Sequence, residues 1–296
     1  MERFFALDLD LPALSRRIDV DPVIHAALQN YWGLRVIRQD PWECLASFIL
    51  SSYNNIVRLT GMLHRLAQTF GEPATGPVAF GSLRRPSSLR CGRGGRGLPI
   101  GATRRQVPWS WDTAYRFPRP ERLANVSERA LRNCGLGYRA PYLKAAAQAV
   151  LSGRVPLEDL RRLEDEPLRQ ALLKVPGVGE KVVECVMLFG FERASAFPVD
   201  VWIGRAMRGW YFRNRKMPDR KIRAFALKHF GPECGWAQQY LYCAARFSSG
   251  SAVTPAPGGL PTHRSDCPSE AVLSRASGRA RLRHKPWRRH HARAAS

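Results

Sequence analysis

Val175-Pro176-Gly177-Val178-Gly179-Glu180-Lys181 is the stretch that decides how this chain folds. Two glycines flank one small apolar residue, and an apolar helical run begins immediately after them. Glycine adopts backbone angles that a side chain forbids, so the segment reads as a tight hairpin between two helices. It leaves bare peptide N–H groups at a helix N-terminus, which is an anion site suited to one phosphate. A phosphate gripped in this way sets register without reading base sequence.

Lys181 falls in the first turn of the helix after the hairpin, beside Val182, Val183, Val186 and Met187. Apolar surroundings and the positive end of a helix both favour the neutral amine, which is the form that can attack a sugar carbon and become a Schiff base. Taken alone, such a residue reads first as an ordinary solvated lysine. Asp200 changes the balance. Phe197-Pro198-Val199-Asp200-Val201 puts a carboxylate at a helix start behind an apolar segment. It can serve as an N-cap, and it can stabilise the positive charge that develops as an N-glycosidic bond breaks. The two roles are compatible.

Working outward, helical periodicity dominates and strand-like alternation is nearly absent. One helix is predicted over 10–30. A second begins at Asp40, with Asp40 as cap, Pro41 in the first turn and Glu43 at the third position. After the polar break Ser51-Ser52-Tyr53-Asn54-Asn55, another helix carries Ile56, Leu59, Leu63, Leu66 and Phe70. Further helices are expected over 120–134, from Pro141 to about Val150, over 167–173, over 180–189, from Asp200 through Met207, over 219–230 and over 235–247. The fold class is all-α with short connections.

The net charge of +23 points to a polyanionic partner, with nucleic acid first. The excess is unevenly placed. Seven arginines and no acid lie between Ser82 and Pro108, and nine basic against two acidic residues follow Ser251. Two stretches, 72–116 and 250–296, have few apolar residues at any useful period and are expected to be disordered. They are either basic arms for DNA or segments without selected structure. The expected organisation is therefore 1–71, an insertion over 72–116, a helical domain over 117–249 and a tail over 250–296. No run is long and apolar enough for a membrane span, and the start lacks a secretory pattern. Seven scattered cysteines read as reduced thiols.

Pro176-Gly177-Val178-Gly179-Glu180-Lys181 followed by Pro198-Val199-Asp200 resembles the helix-hairpin-helix, Gly/Pro and Asp signature of base-excision DNA glycosylases. Four other stretches are similar to the 8-oxoguanine DNA glycosylase branch: Arg38-Gln39-Asp40-Pro41 through Cys44, Ser51-Ser52 with Asn54-Asn55-Ile56, Gly135 to Ala140, and Gly235-Trp236-Ala237-Gln238. The likeness covers residues 2–71 and 115–247. It implies a fold of two helical subdomains, with most of the family's N-terminal β domain outside this chain, a domain that supplies a carbonyl for lesion recognition.

The same resemblance implies the chemistry. Lys181 is the nucleophile that displaces an oxidised purine and forms an imine, β-elimination then nicks the strand, and Asp200 assists. Cys185, Gln238 and Tyr242 form the pocket for the extruded base. Tyr138 is the wedge, Arg58 and Arg139 hold the estranged cytosine, and Asn54, Asn55, Gly177, Gly179 and Trp202 complete the DNA contacts. Two positions depart from the pattern: Tyr53 stands where the eukaryotic branch has an asparagine, and Trp202 where it has a histidine. The cysteines, Cys234, Cys243 and Cys267 among them, lack the cluster spacing of the endonuclease III branch, so no metal and no cofactor are expected. The implied partner is double-stranded DNA containing an oxidised purine, bound by a monomer in the cytoplasm of a bacterium or the nucleus of a eukaryote. A catalytically impaired DNA-binding remnant and an alkylpurine glycosylase are the competing readings.

Overall fold

The computed structural model describes residues 2–74 and 114–247. Thirteen α-helices form this part: α1 (Leu11–Ile18), α2 (Pro22–Asn30), α3 (Pro41–Ser51), α4 (Ile56–Phe70), α5 (Pro120–Asn125), α6 (Glu128–Asn133), α7 (Ala140–Leu151), α8 (Leu157–Leu160), α9 (Asp165–Leu173), α10 (Glu180–Gly190), α11 (Val201–Tyr211), α12 (Asp219–Phe230) and α13 (Cys234–Phe247). The all-α expectation is met.

Side-chain caps fix six of the helix starts, those of α1, α2, α3, α4, α6 and α11. Asp40 Oδ1 accepts the Glu43 N–H at 3.0 Å and Asn55 Oδ1 accepts that of Arg58 at 2.8 Å. Two of the expected long helices are each a pair. Asp21 adopts extended backbone and caps a new helix that opens on Pro22, so 10–30 divides into α1 and α2. Ser127 Oγ accepts the Ala130 N–H at 3.2 Å and starts α6 afresh, which divides 120–134. The four-residue α8 was not predicted.

The helices form two groups. In one, α3 packs on α4, α7 and α10, α5 on α7, and α9 on α10. In the other, α2 and α11 pack on α13, and α12 joins them. The N-terminal helices thus complete the C-terminal group, while α10 lies at the heart of the first, with Val182, Val183, Val186, Met187 and Leu188 all buried.

At the edge of the insertion the expected boundary moves inward. Pro73 and Tyr115 form an antiparallel bridge, with Ala74 N donating to Ala114 O at 2.8 Å and Arg116 N to Glu72 O at 2.9 Å. Residues 72–74 and 114–116 are therefore paired backbone. The remaining expectation of disorder, over 75–113 and over 250–296, lies outside the described residues.

Asp21 ties the second group together. Its carboxylate accepts the Val23 and Ile24 N–H groups at 2.7 and 3.0 Å, the Tyr211 hydroxyl at 3.0 Å and His229 Nε2 at 2.7 Å. Burial pushes this carboxyl up, but the bonds from His229, Ile24, Tyr211 and Val23 outweigh it and hold the carboxyl below its ordinary 3.8. A depressed folded value means stabilisation that is complete above the unfolded value and lost as pH falls through the folded one. Asp21→Asn is expected to cost about 2–3 kcal/mol at neutral pH. Urea denaturation should show that gap narrowing below about pH 3.8; a gap independent of pH contradicts this account.

Candidate active site

The hairpin joins α9 to α10 through Val175–Gly179, with Val178 N donating to Val175 O at 3.1 Å. Gly177 has φ +81°, and a Cβ there would meet Tyr142 Cβ at 2.7 Å, so both conformation and space demand glycine. Gly179 differs from the sequence expectation. It is extended, with φ −107°, and a Cβ there would meet nothing within 4 Å. What Gly179 provides is a bare approach to the start of α10.

Lys181 is half-buried in the first turn of α10. Its Nζ sits 4.9 Å from the centre of the Phe48 ring, which itself stacks on Phe189 at 5.7 Å. The amine is thereby fixed at the seam between α3 and α10. One turn on, the Cys185 thiol lies close enough to Lys181 to feel the amine. Burial pushes that thiol up to about 11 against the pull of Lys181, and Asp200 adds to the rise. Cys185 is thus a neutral thiol at physiological pH. Cys44, fully buried on α3, is likewise pushed well up by burial and by Cys185.

Asp200 is the N-cap of α11, its Oδ1 accepting the Ile203 N–H at 2.8 Å. It is near enough to raise both Cys185 and the Tyr242 phenol, the latter already raised by burial. Lys181 and Asp200 therefore act on the same thiol from two helices, and Tyr242 closes the group from α13. Gln238 is buried nearby. Its Nε2 donates to Pro198 O at 3.0 Å and its Oε1 accepts from Gln239, so its amide is engaged by the protein at both ends.

Glu184 was not singled out from the sequence, yet it joins these pieces. It lies on α10 between Lys181 and Cys185 and is 1% exposed. Its Oε2 accepts the Phe197 N–H at 2.9 Å, three residues before Asp200. Its Oε1 pairs with Arg169 of α9 and lies 3.7 Å from Arg223 of α12. A carboxylate within the run Val182–Met187 was the available signal, because a charge that deep has to be paired.

The Ser51–Asn55 turn carries a second group. Tyr53 has φ +50° and is 98% exposed. The left-handed region is cheap for the asparagine of the family pattern and strained for tyrosine. Asn54 turns inward, donating to Leu50 O at 3.1 Å, and Asn55 caps α4. Arg139 closes the short turn Gly137–Arg139 that follows α6. It is 3% exposed, and its guanidinium donates to the carbonyls of Ser52 and Tyr53 beneath the turn. Tyr138 stays exposed, its ring 4.3 Å from that guanidinium. Arg58 lies on the exposed side of α4. Trp202 is partly exposed two residues past Asp200, and Arg246, also overlooked in the sequence, donates to the Tyr242 hydroxyl at 2.8 Å. Among the described residues no group of three His, Cys, Asp or Glu side chains could hold a metal, and no helix is long and apolar enough to cross a membrane.

A helix-hairpin-helix that places a lysine across from a helix-capping aspartate defines a class of DNA repair proteins, and the comparisons agree. Residues 46–232 match the model of the HhH-GPD superfamily base excision DNA repair proteins, and the chain belongs to that family. Residues 1–45 match the N-terminal domain of 8-oxoguanine DNA glycosylase. An N-glycosylase/DNA lyase of Arabidopsis thaliana is 32% identical, over 76% of this chain and 55% of the relative. A probable N-glycosylase/DNA lyase of Methanothermobacter thermautotrophicus is 27% identical, over 84% and 74%. Among solved structures, the Clostridium acetobutylicum 8-oxoguanine glycosylase/lyase bound to DNA with cytosine opposite 8-oxoguanine superposes with a TM-score of 0.68 at 29% identity, covering 83% of this chain and 73% of that one.

Glu184→Ala is expected to lower stability by about 3–5 kcal/mol, because it strands Arg169 and Arg223 and frees the Phe197 N–H. Glu184→Gln keeps an acceptor for Phe197 and should lose less. Chemical denaturation of the two variants checks this; equal losses would mean that the charge is immaterial.

Proposed function

We propose that this chain is a bifunctional DNA N-glycosylase and abasic-site lyase that removes 8-oxoguanine-type purines from duplex DNA. The observation that carries the reading is the shared position of Lys181 and Asp200 around Cys185, at the end of a phosphate-gripping hairpin. The Lys181 amine, once it has given up its proton, attacks C1′ of the extruded nucleotide as the bond to the base breaks, and the departing base keeps the electron pair and takes up a proton. Asp200 stabilises the positive charge that builds on the sugar. Ring opening gives the imine. Loss of a C2′ proton then expels the 3′ phosphate and leaves the strand nicked.

Other residues position the DNA. Cys185, Gln238 and Tyr242 surround the base. Gln238 must exchange its bond to Pro198 or Gln239 to read a base edge, so entry of the purine rearranges this corner. The hairpin around Gly177 and Gly179 takes one phosphate, Tyr138 wedges the vacated stack, and Asn54, Asn55, Arg58 and Arg139 shape the surface that meets the opposite strand. The working body is 1–71 with 117–249, active as a monomer. The 55% of the plant relative that the chain spans supports a core with the chemistry.

Borohydride should trap the protein covalently on an oxoguanine-containing duplex, and Lys181→Ala should abolish the adduct. Asp200→Asn should slow single-turnover excision roughly 10²-fold while leaving DNA affinity near that of the parent. Absence of trapping on both lesion and abasic duplexes would favour a binding remnant. Excision of methylated purines that survives Lys181→Ala would favour an alkylpurine glycosylase.

A further inference from the structure

Trp202 and two arginines form a cluster that the chemistry above does not use. Trp202 and Arg205 lie one turn apart at the start of α11, and the Arg205 guanidinium is 5.7 Å from the Trp202 ring centre. Arg246 reaches the same indole from α13 at 5.8 Å, and also lies 5.8 Å from Tyr242 and 5.7 Å from Phe247. Two cations on one ring repel each other. Among the described residues neither meets a carboxylate, whereas Arg38, Arg169, Arg208 and Arg223 each do. A cation–π contact holds a guanidinium near the ring without neutralising it and leaves N–H donors for another acceptor. The cluster lies two residues from Asp200, beside the Tyr242 side of the site.

We propose that Trp202, Arg205 and Arg246 form a platform that binds backbone phosphate of the DNA strand running past the base pocket. The hairpin at Gly177–Gly179 and this platform then grip the duplex from two helix starts, α10 and α11, with Lys181 and Asp200 between them. The indole serves as the common backing that aligns two forks on one anion, which a single imidazole in its place could not do. Arg246 also holds the Tyr242 hydroxyl, so backbone grip and pocket geometry share a residue. The inference rests on the chain being a DNA glycosylase for its ligand, but not on the lysine chemistry.

The test is equilibrium binding of the full chain to a duplex bearing a tetrahydrofuran abasic analogue, measured by fluorescence anisotropy over a range of salt. Removing both arginines (Arg205→Ala with Arg246→Ala) is expected to reduce the slope of log K against log salt by about 0.9, the share of the one phosphate charge no longer neutralised. Lysine at both positions restores the slope. Tyr242→Phe keeps the parent slope, which separates removal of charge from removal of the hydroxyl bond. An unchanged slope in the double alanine variant overturns the platform, as does a reduced slope that lysine fails to restore. If borohydride trapping fails in the parent while the slope still drops, the lyase reading falls and the platform stands; an unchanged slope with trapping intact removes the platform alone.

Discussion

The carboxylate of Glu184 is the interaction on which the site depends. It lies inside α10 on the same turn as Lys181, accepts the Phe197 N–H and meets arginines from α9 and α12. A buried charge costs several kcal/mol to desolvate, and that cost is offset only when every partner is in place. The nucleophile's helix and the segment that ends in Asp200 are therefore held to one geometry. The Phe197 ring, stacked on Phe230 at 6.4 Å, carries the same restraint into α12. Few of these contacts touch the reacting atoms, yet they set where those atoms can be.

Around this joint the protein separates two uses of arginine. Arg169, Arg193 and Arg139, tied to a carboxylate or to backbone carbonyls, are structural and lie inward. Those held only by aromatic rings keep their charge available. The large net positive charge of the chain says little about function until it is sorted this way. Lys181 stands apart from both, placed by the Phe48 ring beside the Cys185 thiol and, among the described residues, by no salt bridge.

Local chemistry made much of this legible in the sequence. Asp40-Pro41 and Asp200 mark helix starts through their own hydrogen bonds, and the hairpin follows from Gly177, whose φ no other residue shares cheaply. The α1–α2 break was missed because Asp21 is held as much by Tyr211 and His229 as by its own helix. Glu184 was hidden by its apolar neighbours, and its partners come from other helices. The resemblance assigns Arg139 to the estranged cytosine, and its place beneath the turn is decided by the carbonyls of Ser52 and Tyr53, which lie far off in sequence. The family resemblance supplied roles for Cys185, Gln238 and Tyr242 that residue chemistry alone would not have assigned. Arg246 matched no motif and emerged only when α11 and α13 met.

The bridge between Pro73 and Tyr115 bears on how the chain tolerates change. Departure and return of the polypeptide occur at adjacent points, so the distance the intervening residues must span is fixed near zero whatever their number. Closing a longer excursion between neighbouring ends costs only a slowly growing, logarithmic entropy penalty. Evolution is thus free to lengthen, shorten or recompose that arginine-rich passage with little mechanical consequence for α4 and α5, and selection on its content acts through what it touches, not through what it supports.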